Sequence, residues 1–494
     1  MAPPCARGMI HDPIHHSRPG GPVPVQPPVT SIDASSDTTR ADAAPRLYRA
    51  AWRWHFYAGF FVIPFFLVLA VTGLMMLWIA HIDGRDGERI AVAPQASPAS
   101  LTLQAAVALT AVPGGEPRLY IAPRAPDLAA LFRIDGPDGP IMVAVDPFKA
   151  QVIDSFPRRS GWYDWADVIH SDLRLGVAGD RMLEIAASLG IMLLVSGLFL
   201  WWPRGTSLRA ALVPDLRARG RGLWRSLHAT LGVWISVGLV FFLVSGLSWA
   251  GIWGGQMMQA WSTFPAAKWD AVPLSDVTHA SLNDGPKEVP WALEQTPMPA
   301  SGSAMGQPGI PEGTRVTIDS VDALARSLGF QGRYQLALPR GETAVWTISR
   351  DSMSTDSLDP TSDRTVHVDR YSGRILADVR FEDYSLAGKA MAVGIALHMG
   401  TLGLWSVLAN TVFCLAVIFL CLSGAVLWWK RRPSGAWRLS APPMPRQMPF
   451  WKGAVVAGLV IGVAFPLAGL TFASVLLADW LILSRLPALR RALT

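Results

Sequence analysis

The chain has 494 residues, of which 51% are hydrophobic and 16% are charged, and its formal net charge is +6. A chain of this length with so few charges is too apolar for an ordinary soluble protein and fits a multi-span membrane protein with polar insertions. The basic residues cluster beside the apolar segments, so the charge indicates membrane topology and gives no reason to expect a nucleic-acid partner. The three cysteines form no CxxC or CxxCH pattern, so neither a zinc site nor covalently attached c-type haem is indicated.

The first half of the chain predicts a tail, a span and a polar domain. Residues 1–45 are rich in Pro, Gly, Ser and Asp and are predicted to be disordered. The first apolar run begins near residue 56, too late for a cleavable signal peptide, and the arginines before it place its start in the cytoplasm. The polar insertion that follows has a helical stretch at 101–112 and ends in a strand–turn–strand signature, VAVDPFKAQVID.

The same order of segments then repeats. A second span leads into a loop with six arginines, a third span into a second polar insertion with the signature VHVDRYSGRILAD, and a fourth span into a basic segment. This predicts a mainly α-helical integral membrane protein with duplicated transmembrane helix pairs, two periplasmic α/β insertions and one extra C-terminal span. The last run is interrupted by Pro466 and is expected to cross once, because each half is shorter than about 20 residues. One crossing would leave the last arginines outside the cytoplasm, against the positive-inside rule.

The predicted segments are a cytoplasmic tail (1–45), transmembrane helix 1 (46–80), a first periplasmic domain (81–169), transmembrane helix 2 (170–202), a basic cytoplasmic loop (203–223), transmembrane helix 3 (224–253), a second periplasmic domain (254–389), transmembrane helix 4 (390–430), a basic cytoplasmic loop (431–452) and a C-terminal transmembrane segment (453–484).

Each of the four main apolar segments carries one histidine toward one end and Ser-Gly or Thr-Gly toward the other. The spacing from His to this Gly is 18 residues in segments 1 and 3, 27 in segment 2 and 26 in segment 4. The predicted topology places His55 and His228 at the cytoplasmic face and His170 and His398 at the outer face. A lone histidine at a span end usually reaches interfacial water, but four at matched spacing favour axial ligation of two b-type haems.

A haem held by two imidazoles has no open coordination position and is suited to passing electrons. Gly59 and Gly232 lie one turn after the cytoplasmic histidines, on the same helix face, and would give a flat macrocycle clearance. Their alternative role is close helix packing. Arg53 and Arg225 flank the same histidines and are candidates to neutralise haem propionates, with membrane topology as their alternative role.

At these residues the sequence resembles a known family. The two strand–turn–strand signatures resemble the core of PepSY domains, although Lys149-Ala150 stand in the first turn where PepSY domains usually carry Gly, which Ser372-Gly373 keep in the second. The segments WRWHFYAGFF, LHATLGVW and ALHMGTLGLW resemble the PepSY-associated transmembrane family of iron-regulated membrane proteins, over roughly residues 45–432.

This resemblance implies an inner-membrane ferric-siderophore reductase with two haem b groups. Its haem iron ligands would be His55, His170, His228 and His398. The implied substrate is a ferric siderophore or another periplasmic iron chelate, and the electron donor would be quinol or a cytoplasmic reductase. The leading hypothesis is therefore an enzyme, a haem-dependent transmembrane oxidoreductase of the bacterial inner membrane with its N-terminus in the cytoplasm.

Two alternatives stay open. One is a non-enzymatic PepSY sensor or protease-regulating membrane protein, whose histidines would be interfacial. The other is a haem-dependent reductase of a different periplasmic metal or of a disulfide. Bound haem separates the first alternative from the leading hypothesis, and the preferred electron acceptor separates the second.

Overall fold

A computed structural model describes residues 34–478 except 206, 259–262, 266–268, 270, 284–288, 433–438, 440 and 443–451, together with 481 and 485. The helices are α1 (Ala34–Ile82), α2 (Leu101–Thr110), α3 (Trp162–Asp172), α4 (Val177–Trp201), α5 (Leu208–Ala211), α6 (Arg221–Trp234), α7 (Ser236–Leu247), α8 (Trp253–Met258), α9 (Ile318–Ser327), α10 (Leu386–Met399), α11 (Leu404–Trp429), α12 (Lys452–Ala464) and α13 (Pro466–Ala478). The strands are β1 (Glu116–Ile121), β2 (Ala130–Gly136), β3 (Gly139–Asp146), β4 (Gln151–Pro157), β5 (Leu274–Thr278), β6 (Pro297–Pro299), β7 (Gln335–Ala337), β8 (Trp346–Arg350), β9 (Arg364–Val368) and β10 (Ile375–Arg380).

Helix α1 begins at Ala34, so the predicted disordered tail is helical from that residue onward. Residues 1–33 of the predicted tail lie outside the described residues.

Apolar helices long enough to cross a membrane make up the bundle. Within the described residues these are Arg46–Ile82, Val177–Trp201 and Leu404–Trp429, and α6 with α7 is a fourth if the bent pair is one span. In each of the three long helices, at most 28% of the most apolar 18-residue stretch is buried inside the protein. Apolar surface left uncovered on this scale, on helices that satisfy their own backbone hydrogen bonds, suits contact with lipid.

The third span differs from the single predicted helix. Helices α6 and α7 meet at Ile235 with a bend of 60°. Ser236 and Gly238 follow the bend, and sequences of this kind are common at sharp kinks. A Cβ on Gly238 would lie 3.2 Å from the ring of Phe413, so the missing side chain allows α7 to approach α11 closely.

The second and fourth spans are preceded by separate short helices. Helix α3 ends before α4 at Leu173 and Arg174, which have φ angles of 56° and 57°, and α10 ends at Gly400 with φ of 71°. Left-handed residues of this kind terminate a helix and redirect the chain. His170 and His398 therefore lie on short helices, whereas the other two candidate ligands lie within α1 and α6.

The two polar insertions share one antiparallel sheet of eight strands, in the order β10-β9-β8-β7-β1-β2-β3-β4. The halves join where β1 pairs with β7, with Tyr120 opposite Leu336. Asp319 at the start of α9 accepts hydrogen bonds from the backbone N–H of Leu101 (2.6 Å) and of Thr102 (3.2 Å) at the start of α2. Because residues of both insertions form one buried cluster, they fold as one unit.

Both predicted strand–turn–strand signatures are confirmed, as β3–β4 and β9–β10. Asp146 accepts hydrogen bonds from the backbone N–H groups two and three residues later, at 2.9 and 3.1 Å. Asp369 accepts the two equivalent hydrogen bonds at 2.8 Å each. Ala150 has φ of 48° where Gly373 has 69°. The first turn thus keeps the left-handed backbone conformation without the glycine that adopts it at least cost.

The final apolar run is a pair of short helices and not the single kinked span that the sequence predicted. Pro466 has no N–H to continue α12 and starts α13. A Cβ on Gly469 would lie 2.8 Å from the carbonyl oxygen of Gly462, although a continuous helix holds residues seven apart at about 10 Å. The chain therefore turns back sharply, and Trp253 stacks on Phe465 at this turn with ring centroids 5.9 Å apart.

Two histidine layers in the helical bundle

Each of the four span histidines is held by the Ser-Gly or Thr-Gly pair of another segment. In every case the imidazole Nδ1 lies within hydrogen-bond distance of the hydroxyl oxygen. The four contacts are His55 with Ser196 (2.9 Å), His170 with Thr72 (2.9 Å), His228 with Ser423 (2.8 Å) and His398 with Ser245 (2.8 Å). Segments 1 and 2 exchange these contacts with each other, and so do segments 3 and 4.

The hydrogen bonds of the hydroxyls assign the tautomer of each imidazole. Every one of the four hydroxyls donates to a backbone carbonyl three or four residues earlier in its own helix, at 2.6–3.0 Å. Its proton is thereby used, so the oxygen accepts from the imidazole, and Nδ1 carries the hydrogen. The lone pair of each ring is then on Nε2, the arrangement in which a neutral imidazole binds a metal.

The glycine beside each hydroxyl seats the ring against a helix backbone. A Cβ on Gly197 would lie 3.2 Å from Cε1 of His55, and a Cβ on Gly73, Gly246 or Gly424 would lie 3.5–3.6 Å from Cε1 of its histidine. All four imidazoles are half-buried. Each ring is thus fixed along its Nδ1 edge while part of its surface stays accessible.

The histidines form two layers. His55 and His228 are close enough to interact electrostatically, and so are His170 and His398. A buried apolar cluster from α1, α4, α7 and α11 lies in the bundle interior, with Phe66, Leu243 and Val417 among its members. Because Phe66 lies between His55 and Thr72 along α1, this apolar cluster separates the two layers.

The glycines predicted to give clearance have few close neighbours. A Cβ on Gly59 would meet Leu193 at 3.7 Å, and one on Gly232 would meet Leu420 at 4.0 Å. Both distances are ordinary van der Waals contact, so backbone packing does not require glycine at either position. The two environments also match, since the leucine precedes the hydroxyl residue by three positions in each case.

The arginines predicted to meet propionates are placed differently from each other. Arg53 donates to the carbonyl oxygen of Pro442 at 2.7 Å and lies over the ring of Tyr57, with its guanidinium carbon 5.0 Å from the ring centroid. Arg225 is exposed. The structure adds Arg431, whose guanidinium carbon lies 4.8 Å from the ring centroid of Phe56, beside His55. The sequence feature that could have identified Arg431 as a further arginine near the histidines is its position at the end of the fourth span, directly after Trp-Trp-Lys.

The four histidines are joined by no third protein side chain of ligand type in the part of the chain that the structure describes. No three His, Cys, Asp or Glu side chains come together there in a geometry that could hold an ion.

The sequence profile of the PepSY-associated TM region matches residues 52–431, a range that contains all four histidines and both insertions. The chain belongs to this family. It is a membrane protein with apolar helices and a large sheet domain. No curated protein is significantly similar to the chain.

Sequence reasoning singled out the histidines and noticed the Ser-Gly and Thr-Gly pairs, but it assigned the pairs no role. Their role depends on contacts between residues 98–195 positions apart. The spacing itself was the signal, because it places each hydroxyl of one segment at the depth of a histidine in an antiparallel neighbour.

Proposed function

We propose that this protein is a dihaem b-type electron-transfer protein of the bacterial inner membrane that reduces a ferric siderophore on the periplasmic side. One observation carries the proposal: four imidazoles, each with Nδ1 held by a hydroxyl, lie in two pairs whose members interact electrostatically. Interfacial histidines that only reach water, as in the sensor alternative, have no need of a fixed tautomer.

The residues at each layer fit a haem held between two histidines. Bound haem would supply one-electron chemistry. The imidazoles of His55 and His228 would hold the iron of one haem, and those of His170 and His398 would hold the iron of the other. The hydroxyls hold the rings in position and increase the basicity of Nε2 by accepting from Nδ1–H. The apolar cluster between the layers keeps water out of the bundle interior.

Charge supports the orientation. Arginines occupy the part of α1 before its apolar stretch, crowd the loop before α6 and follow α11, which favours the cytoplasm for that end of the bundle. The sheet is connected to the opposite end, so it would lie in the periplasm. The sharp turn between α12 and α13 returns the chain toward the side from which it entered, which would put the C-terminal arginines in the cytoplasm and remove the conflict that a single crossing creates.

The fold also supports duplication. Helix α2 with β1–β4 and helix α9 with β7–β10 follow the same order, and the two halves meet at equivalent strands, β1 and β7. The reciprocal histidine contacts repeat in the same way between segments 1 and 2 and between segments 3 and 4.

Reduction suits the release of iron from a siderophore. Hydroxamate, catecholate and carboxylate oxygens are hard ligands that hold Fe(III) far better than Fe(II). One electron from the outer layer would therefore weaken the complex and free the iron in the periplasm. Quinol in the bilayer or a cytoplasmic reductase would supply the electron at the other layer.

The purified full chain tests the proposal. It should be red, contain about two haems per chain, as expected for four ligands in two pairs, and show a Soret band that shifts on reduction with dithionite. His228→Ala and His398→Ala should each remove about one haem. His81→Ala is the matched control, because His81 lies at the end of α1 against Trp78 and outside both layers.

A colourless preparation from haem-replete cells would reject the dihaem function. If both ligand variants kept two haems, the ligand assignment would be wrong. Oxidation of the reduced protein by ferric siderophores in preference to disulfides or other metal ions would separate the proposed substrate from the alternative reductase.

A further inference from the structure

Two tryptophans connect the outer histidine layer with the sheet domain. The ring of Trp249, just after α7, lies 5.4 Å from that of His398, centroid to centroid. Trp291, in the second insertion, lies 4.6 Å from Trp249 in an edge-on contact. Among the described residues, His170 makes no ring contact of this kind, so the connection leaves the layer from one histidine only.

Trp291 lines a small cavity between the sheet domain and α10. The other lining residues include Met353, Asp363, Tyr384 and Met391. Tyr384 is 4% exposed, and its hydroxyl has no hydrogen-bond partner among the described residues. Burial raises the pKa of Asp363 to about 7. The connection therefore ends in the sheet domain at Trp291, which is 3% exposed, beside this small cavity of polar groups and sulfur atoms.

We propose that Trp249 and Trp291 form the route by which an electron passes from the outer haem to a ferric chelate bound at the sheet domain. The proposal rests on the dihaem function proposed above. Electronic coupling between groups falls steeply with the gap that separates them. Ring contacts at 5.4 and 4.6 Å leave only van der Waals gaps between His398 and Trp291.

The electron balance is simple. One electron would leave the haem iron bound at His398, which would change from ferrous to ferric, and would reduce the Fe(III) of the chelate to Fe(II). No covalent bond of the protein forms or breaks, and no proton moves in this step. A quinol or a cytoplasmic reductase restores the electron through the other histidine layer.

The experiment compares leucine and phenylalanine variants of both tryptophans in the full chain, reconstituted in lipid nanodiscs. The haems are reduced with dithionite, excess reductant is removed, and reoxidation by ferric EDTA is followed at the Soret band. Trp249→Leu and Trp291→Leu should slow reoxidation about tenfold or more, which corresponds to about 1.4 kcal/mol in the barrier. Trp249→Phe and Trp291→Phe keep a ring and should retain most of the rate.

Haem content, the midpoint potentials and the low-spin EPR spectrum should stay unchanged in these variants, because neither tryptophan is a ligand. Trp78→Leu is the matched control: Trp78 lies near the same end of the bundle and donates to Thr411 at 3.1 Å. It should reoxidise at the wild-type rate.

Leucine variants that keep both haems and reoxidise at the wild-type rate would overturn the route, and so would an equal loss of rate in Trp78→Leu. If a leucine variant loses the outer haem, the phenylalanine variant at the same position becomes the test. The route then requires that variant to be reoxidised faster than a preparation that lacks the outer haem. Absence of haem in the wild-type protein would instead reject the dihaem function.

Discussion

The hydroxyl that holds each histidine offers the most direct test of the site, and Ser245→Ala is the clearest case. Ser245 Oγ lies 2.8 Å from His398 Nδ1 and donates to the carbonyl oxygen of Phe241 at 2.6 Å. Alanine removes the acceptor and leaves a buried N–H unpaired, which costs about 1–3 kcal/mol. Loss of such an outer partner typically lowers metal affinity about 10- to 100-fold. We expect the outer haem to bind weakly and the inner haem to remain.

The assay measures haem per chain by pyridine haemochromogen and titrates both midpoint potentials. Weaker donation from Nδ1–H makes the imidazole less basic and stabilises Fe(III) less, so the potential of any outer haem retained should rise. Ser245→Thr should preserve the site, because Thr72 already serves His170 in the same way. Ser248→Ala is the control, since its hydroxyl donates to Val244 at 3.1 Å and contacts no histidine. An unchanged Ser245→Ala protein, or an equal defect in Ser248→Ala, would refute the reasoning.

Three further predictions follow from contacts in the bundle and the sheet. Gly197→Ala should reduce haem content at the inner layer, because its Cβ would lie 3.2 Å from the His55 ring, whereas Gly246→Ala, with 3.6 Å to its histidine, should be tolerated; equal haem content in both variants would contradict this. Ala150→Gly should raise the free energy of unfolding by up to about 1 kcal/mol, since it relieves a left-handed alanine, and a lower melting temperature would count against it. Burial raises the pKa of Asp363 to about 7 from a usual 3.8. The folded protein therefore holds a proton that the unfolded chain has lost, and the stabilisation falls as pH rises from about 4 through 7. Asp363→Asn should flatten the change in melting temperature between pH 5 and 8, and an unaltered pH profile would exclude this carboxyl as the cause.

Much of the fold followed from local patterns. The helix over 101–112, the strands of both signatures and the positions of the long apolar helices agree with the structure, because hydropathy and residue periodicity act over a few turns or a few alternating residues. Breaks in helices were less predictable. Proline marked the break at Pro466, but the 60° bend at Ile235 depends on how closely α7 packs against α11.

By itself, the sequence determined the apolar segments, the four histidines at matched spacing from which two haems were predicted, and the family resemblance that agrees with that prediction. Only the tertiary structure decided which hydroxyl meets which imidazole, that the insertions share one sheet, and that the last apolar run turns back. The physical reason is the range of the interactions. Hydropathy is a property of each segment alone, whereas a hydrogen bond such as the one between His228 and Ser423 exists only after two distant helices have packed side by side.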